Sequence, residues 1–311
     1  MISTLSGRRR ILSPTAFIAG TPCSRTNEQL ARAFGEHGVQ AVVASPDVAA
    51  AQARPGDLVI GRLDVRPTLD GVQPGLGRLV QIRERGIRVV NGADVLVATH
   101  DKLTTARLLA AATIPQPRWG HLTDEEASPG FGPPYVVKPR FGSWGRDVLR
   151  CETEAALHAC LRRLRRRSWF GRHGALVQEL IPPQGFDLRL VVSAGVVVGA
   201  VERVAAPGEW RTNIALGGSR RPTSPAADAC PLATAAAAAV GGELVGVDLL
   251  PDPLGWRVIE INGAVDFTEE YALDDRNVFE RAVQPFAQGR RPSAAGPTEE
   301  QDPALVEAVS L

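Results

Sequence analysis

Asp248, Glu260 and Asn262 are oxygen-bearing side chains on two apolar runs that flank a tight turn. The runs read Leu244-Val-Gly-Val-Asp-Leu-Leu250 and Trp256-Arg-Val-Ile-Glu-Ile-Asn262, with Pro251-Asp-Pro-Leu-Gly255 between them. Apolar runs around Pro and Gly predict a β-hairpin whose turn spans Pro251 to Gly255. Asp248 and Glu260 are nearly equidistant from that turn, so antiparallel pairing sets them side by side. Glu260 and Asn262, two apart on one strand, share a face. Hard oxygen ligands converging on one sheet face suit Mg²⁺, which keeps coordination sites for phosphate oxygens. A half-buried hairpin with its acids turned to water is the plainer reading of these residues alone, so the rest of the chain must decide.

A second group reads as phosphate and base chemistry. Val136-Val-Lys138-Pro139 is a strand running into Arg140-Phe-Gly142-Ser143-Trp144-Gly145-Arg146. A lysine at a strand end reaches a phosphate as a point charge, and glycines let backbone N–H groups close over phosphate oxygens. Ala175-Leu-Val-Gln178-Glu179-Leu-Ile181 is an apolar strand ending in a polar pair, which offers a flat base both a slot and hydrogen bonds at its edge. Phe186-Asp187-Leu-Arg189-Leu-Val-Val192 alternates, so Asp187 and Arg189 share a face, and the partner strand delivers Arg203. Glu209-Trp-Arg211-Thr-Asn213 then leads into Gly217-Gly218. Each of these also has a structural reading, since buried Asp–Arg pairs and Gly-containing turns are common.

The elements that must position these residues follow from the hydrophobic pattern. Phe17-Ile-Ala19, a helix from near Thr26, Val39 to Ala44, Asp57 to Ile60, a helix over Leu76 to Arg85 and Ile87 to Val90 predict a parallel α/β unit over residues 1–100. A second unit, 101–174, opens at Asp101-Lys102 with Leu103, Ala106, Leu109 and Ala110 at helical spacing. It carries the glycine loop and a helix expected from Glu152 to about Arg167. The third unit, 175–288, holds the hairpin. Residues 289–311 are polar and rich in Pro and Gly, and predict a disordered tail with a short terminal helix.

Composition narrows the function classes. A net charge of +1 gives no global attraction to nucleic acid or an anionic membrane, and no apolar run is long enough to span a bilayer. Arg8-Arg-Arg10 before an apolar stretch resembles the start of an export signal, but Ser13, Pro14 and Thr15 break it, and a first core strand explains it better. Cys23, Cys151, Cys160 and Cys230 lack C-x-x-C spacing, which predicts reduced thiols in a cytoplasmic protein. His37, His100, His121, His158 and His173 lack metal spacing and read as structural. The run from Arg162 to Arg167 reads as a solvated helix face, with an acidic partner as the alternative.

Taken in serial order, Lys102, Lys138-Pro with its Gly loop, Gln178-Glu179, Asp187-x-Arg189, Arg203, Arg211-Thr-Asn213, Asp248 and Glu260-x-Asn262 resemble the ATP-grasp superfamily. Within it the chain is similar to the RimK/LysX amino-acid and peptide ligases over roughly residues 1–285. The resemblance implies an α/β chain in which a pre-ATP-grasp domain precedes two lobes that clamp ATP. It implies that Lys102 and Lys138 hold phosphates beneath Gly142, Ser143, Trp144 and Gly145. Gln178, Glu179 and the backbone near Ile181 would hold adenine, with Asp187 and Arg189 beside the ribose and triphosphate. Asp248, Glu260 and Asn262 would bind two Mg²⁺ ions, with Mn²⁺ an acceptable substitute. Arg203, Arg211 and Asn213 would face the transferring phosphoryl group.

The implied activity is ATP-dependent joining of a carboxylate to an amine through an acyl phosphate. The implied partners are an amino acid or other carboxylate, a peptide or small acidic carrier protein as acceptor, and further copies of the chain in a dimer or tetramer. A small-molecule kinase and a non-catalytic nucleotide-binding protein use the same residues. Two departures stand out: Leu216 occupies a place usually basic, and Gly263-Ala-Val-Asp266-Phe-Thr268 matches neither subgroup's ending. Asp266, Glu269 and Glu270 read either as a site for a substrate ammonium or as the acidic start of a helix.

Overall fold

A computed structural model describes residues 13–21, 23–124 and 127–289. Strands β1 (Thr15–Gly20), β2 (Gln40–Ala44), β3 (Leu58–Arg62) and β4 (Arg88–Val90) form a parallel sheet in the order β2-β1-β3-β4. Helices α1 (Arg25–Glu36), α2 (Pro46–Gln52) and α3 (Leu76–Glu84) connect them, and α4 (Ala93–His100) follows β4. The strands carry near-continuous apolar runs because both faces are covered. Ser24 caps α1 by accepting from the Asn27 N–H, and Ser45 caps α2 ahead of Pro46.

Helix α5 (Lys102–Ala111) leads into the central sheet of β5 (Trp119–Leu122), β6 (Tyr135–Pro139), β7 (Leu149–Cys151) and β8 (Ala175–Glu179), ordered β5-β8-β6-β7 and antiparallel throughout. Helix α6 (Glu154–Leu164) covers it and α7 (Ser168–His173) follows. The helix expected over 152–167 forms over Glu154–Leu164, and α7 is a further short helix beyond it. Thr153 caps the first, and the chain turns through Arg165 to Arg167 before the second begins. β8 was expected to open the third unit but lies between β5 and β6, where its alternate buried residues complete the central core.

The third sheet is antiparallel, ordered β11-β10-β9-β12-β13 from β9 (Phe186–Ser193), β10 (Val196–Val204), β11 (Ser219–Pro222), β12 (Leu244–Asp252) and β13 (Gly255–Asn262). Helix α8 (Ala229–Ala239) packs on one face, and α9 (Val278–Ala287) meets the other together with α1. Pro251 and Asp252 belong to β12, so the turn shrinks to Pro253-Leu254. The expected tail over 289–311 and the Arg8 to Arg10 run lie outside the described residues, Gly289 excepted.

The lobes share their cores. Ile18, Leu30 and Phe34 of the first unit pack with Phe267, Phe279 and Phe286 of the third. Asn91, in the left-handed region at φ 51°, binds both ends of the hairpin. Its amide donates to the carbonyls of Leu244 (2.6 Å) and Gly263 (2.9 Å), and its oxygen accepts from the Glu243 N–H at 3.1 Å. No helix among the described residues is long and apolar enough to cross a membrane.

Candidate active site

The hairpin brings its acids together as the sequence requires. Asp248 on β12 pairs directly with Glu260 on β13, and a bulge begins just past Asp248. On the other side, β12 sets Asp248 opposite Arg189 of β9, while Asp187 faces Arg203 across β9 and β10. Register alone therefore lines up alternating charges across the sheet.

Asp248 is completely buried, and both its oxygens accept from arginines: Arg189 Nε at 2.6 Å, Arg189 Nη2 at 2.7 Å and Arg203 Nη2 at 2.8 Å. Burial pushes this carboxyl upward, but the two guanidiniums outweigh it and hold it down at about 2. Arg203 also grips both oxygens of Asp187, with Nε 2.8 Å from Oδ1. Thr212 adds a hydroxyl 2.6 Å from Asp187 Oδ2. Arg203 and Arg189 are raised despite burial, because the carboxylates beside them favour their charged forms.

Lys102 comes from the first turn of α5, whose start is fixed by Asp101. Asp101 caps the helix through the Leu103 N–H and also takes both arms of Arg140, the residue following β6. One aspartate thus sets the helix beside the glycine loop. The Lys102 ammonium, 9% exposed, donates to the Gly142 carbonyl at 2.6 Å and to Glu260 Oε1 at 2.8 Å. Lys138, at the end of β6, makes no hydrogen bond or ion pair among the described residues. Burial pushes its ammonium down to about 8, partly offset by Glu260. Its ammonium is thus a cation without a partner among the described side chains.

The glycine loop bends over these groups. Gly145 holds φ +70°, and a Cβ there would lie 2.6 Å from Asn213 Oδ1. Trp144 at the crest is 51% exposed. Arg211 ties the loop down from the opposite lobe, donating to the carbonyls of Gly145 (3.2 Å) and Val148 (3.3 Å) while Glu209 holds its other nitrogens. In return, the hydrogen bonds from Arg211 hold the Glu209 carboxyl down at about 2.

The two lobes flank a cleft whose space, counted out to open solvent, is about 940 Å³. Lys102, Lys138, Gly142 to Gly145 and Glu260 form its polar end, and Asp187, Arg203, Arg211 and Asn213 line it as well. Val136, Val148, Ile181, Leu250 and Ile259 make the apolar walls, with Gln178 and Glu179 at the strand end. Glu179 does not reach in freely, since Arg118 donates to it from its backbone N–H (2.9 Å) and Nε (2.6 Å). Arg189 and Asn262 line an adjoining cavity with Arg220 and Asp266, and Asp248 lies beneath both. Asp64 and His100, absent from the sequence-derived candidates, line that second cavity too.

The donor set suits a divalent ion. A cation would meet the oxygen rather than the nitrogen of the Asn262 amide, and Asp248 has one lone pair left on Oδ1, since its Oδ2 accepts from both Arg189 and Arg203. The described residues contain no cluster of three or more acidic, His or Cys side chains able to hold a metal; Asp248 and Glu260 are cross-strand neighbours, and Glu260 and Asn262 line one cavity.

A model of the RimK-like ATP-grasp domain matches residues 99–275, which is more than half of the chain and holds every one of these candidates. The chain belongs to this family. A probable alpha-L-glutamate ligase of Shewanella pealeana is 32% identical over 214 residues, which are 67% of this chain and 45% of that protein. The chain thus spans less than half the length of that relative. The glutamate–LysW ligase ArgX of Sulfurisphaera tokodaii is 30% identical over 271 residues, covering 84% of this chain and 94% of that one. Among solved structures, the ATP-grasp ligase PsnB, crystallised with a phosphomimetic minimal precursor, Mg and ADP, superposes with a TM-score of 0.63 at 17% identity. That match covers 90% of this chain and 100% of PsnB, a likeness of fold. The architecture is that of an ATP-grasp fold behind an N-terminal parallel α/β domain.

Proposed function

We propose that this RimK-like ATP-grasp chain is an ATP-dependent carboxylate–amine ligase. The observation that carries the reading is one cleft in which an unpartnered lysine, a glycine loop and Glu260, whose cross-strand partner Asp248 lies buried beneath, share a polar end beside an apolar slot. That slot takes a purine, with Gln178 and the backbone near Ile181 at its edge, while Lys138 and Lys102 take phosphates beneath Gly142 to Gly145. Asp248, Glu260 and Asn262 hold Mg²⁺, which supplies charge neutralisation for the triphosphate; two ions, and Mn²⁺ as a substitute, belong to the same proposal.

The substrate carboxylate attacks Pγ of ATP, the bond from Pγ to the β-bridging oxygen breaks, and ADP leaves. The amine then attacks the acyl carbon, the acyl–phosphate bond breaks, inorganic phosphate leaves, and the nitrogen gives up its surplus protons. The protein works mainly by positioning and charge. Lys138 anchors an oxygen anion, the loop excludes water, and Arg203 is held at the cleft by Asp187 and Asp248. Arg211 acts as the strap of the loop rather than as a free phosphate ligand, because Glu209 and two carbonyls use its donors.

The names of the relatives support an amino acid, with glutamate first, as one substrate, and a peptide or small acidic carrier protein as its partner. A homodimer or homotetramer is proposed as the assembled state. The decisive experiment measures ADP release from Mg·ATP with L-amino acids and short peptides, and identifies the product by mass. An amide with free phosphate is expected, and Lys138→Ala or Glu260→Gln abolishes it while the protein stays folded. Near-normal turnover in either variant, or a stable phosphorylated product, refutes the reading.

A further inference from the structure

His100 closes α4, is 5% exposed, and points into the cavity next to the phosphate end of the cleft. Its Nε2 lies 2.8 Å from the carbonyl of Leu63, which can only accept, so Nε2 carries the hydrogen. Burial pushes the imidazole below its usual range, with Asp64 opposing, so the neutral ring prevails and Nδ1 is a bare lone pair. That lone pair faces Asp64 Oδ1 at 4.0 Å.

Asp64 Oδ1 already accepts from the Val65 N–H at 2.6 Å and the Ser143 hydroxyl, so it offers charge, while the His100 Nδ1 lone pair is the open acceptor. Asp64 is set in place by the Ser143 hydroxyl at 3.1 Å, so the pair is tied to the glycine loop that covers the cleft. Glu260, Asn262 and Arg203 line the same cavity. The charged groups acting on His100 are Asp64 after β3, Lys102 at the start of α5 and Glu260 on β13, two anions and one cation. The cavity lining sets Asp64, Glu260 and Asp266 against Arg189, Arg203 and Arg220, and Asp64 is the anion beside His100.

We propose that His100 and Asp64 receive the attacking amine, with His100 Nδ1 taking the proton that frees the nitrogen lone pair before the C–N bond forms. This rests on the ligase reading. An amine arrives as ammonium, which has no lone pair, and amide formation removes two protons from it overall. Asp64 holds the ammonium by charge. His100 takes the first proton and becomes an imidazolium paired with Asp64, the second leaves the nitrogen for the departing phosphate once the C–N bond has formed, and His100 returns its proton to solvent after the product leaves. General bases of this kind contribute ~10²–10⁴-fold in rate.

His100→Gln separates this role from a structural one, because its amide N–H can replace Nε2 at the Leu63 carbonyl but supplies no base. Two nucleophiles are compared with Mg·ATP, using L-glutamate and glutamate-terminated peptides as carboxylates. Hydroxylamine is neutral at about pH 7 and needs no base, whereas the amine of L-glutamate does. In His100→Gln, hydroxamate forms within about threefold of the unsubstituted rate, while amide formation falls ~100-fold. The amide rate recovers as pH rises toward about 9 and free amine accumulates. Asp64→Asn raises KM for the amine about tenfold, leaving KM for ATP in place.

An equal fall in hydroxamate and amide, or no fall in either, overturns the assignment. Absence of hydroxamate from the unsubstituted protein with every carboxylate overturns the ligase reading, and this one with it.

Discussion

The Lys102 ammonium sits 2.8 Å from Glu260 Oε1, so a lysine from the start of a helix neutralises the carboxylate proposed to hold a metal. The pair is mostly buried, at 9% and 24% side-chain exposure, and removing one partner strands the other charge. Lys102→Met is expected to lower stability by about 3 kcal/mol in EDTA. Because a divalent ion takes over the duty of the lysine, Mg²⁺ should raise the Tm of this variant more than that of the unsubstituted protein. Equal Mg²⁺ shifts in the two proteins would contradict the assignment of Glu260 to the metal.

Asp248 links the fold to pH. Its folded carboxyl is held down at about 2, below the unfolded value near 3.9. A depressed folded value means the stabilisation is fully present above about pH 4 and is lost as pH falls toward 2. The size is on the order of 2 kcal/mol. Urea unfolding in EDTA across this window should show that loss, and Asp248→Asn should remove that part of the slope. Asp248→Asn should itself be destabilised at neutral pH, since Arg189 and Arg203 lose their common anion.

Gly145→Ala tests the loop. The added Cβ would meet Asn213 Oδ1 at 2.6 Å, and φ +70° disfavours any side chain. The loop must lift, so KM for ATP is expected to rise at least about tenfold while the global unfolding free energy changes by about 1 kcal/mol. Kinetics with denaturant unfolding measures both. A collapse of global stability with unchanged KM would show that the loop serves the core instead.

Lys138 gives a pH dependence of binding. Only the ammonium attracts phosphate, and its value in the free protein is about 8. Affinity for Mg·ATP should therefore be constant below that pH and decline above it, while bound phosphate raises the value in the complex. Calorimetric titration across the range would show the inflection, and Lys138→Arg should erase it.

The hairpin was legible because one short turn fixes the register of Asp248 against Glu260. The charge of Lys138 was legible because a strand-end lysine before a glycine loop has few other uses. What escaped were partnerships across long stretches of chain. Nothing in the spacing says that Arg189 and Arg203 would seal Asp248, or that Arg118 would occupy Glu179. Arg211 is a strap only because β10 and the loop after it face the glycine segment, a tertiary fact. Likewise β8 reads as the start of a new unit, since its pairing with β6 spans the intervening helices. His100 and Asp64 carried one local signal, a histidine two residues before Lys102, but their encounter depends on β3 ending beside α4.

The side chain of Asn91 grips the hairpin near both of its outer ends from within the first unit. The acidic floor of the cleft is thereby bolted to the parallel sheet, and cannot tilt without dragging that sheet along. On the proposed function, admission and release of nucleotide then fall to the roof, a short glycine-bearing flap that only side chains fasten: Arg211 on one side, Lys102 and Asp64 on the other.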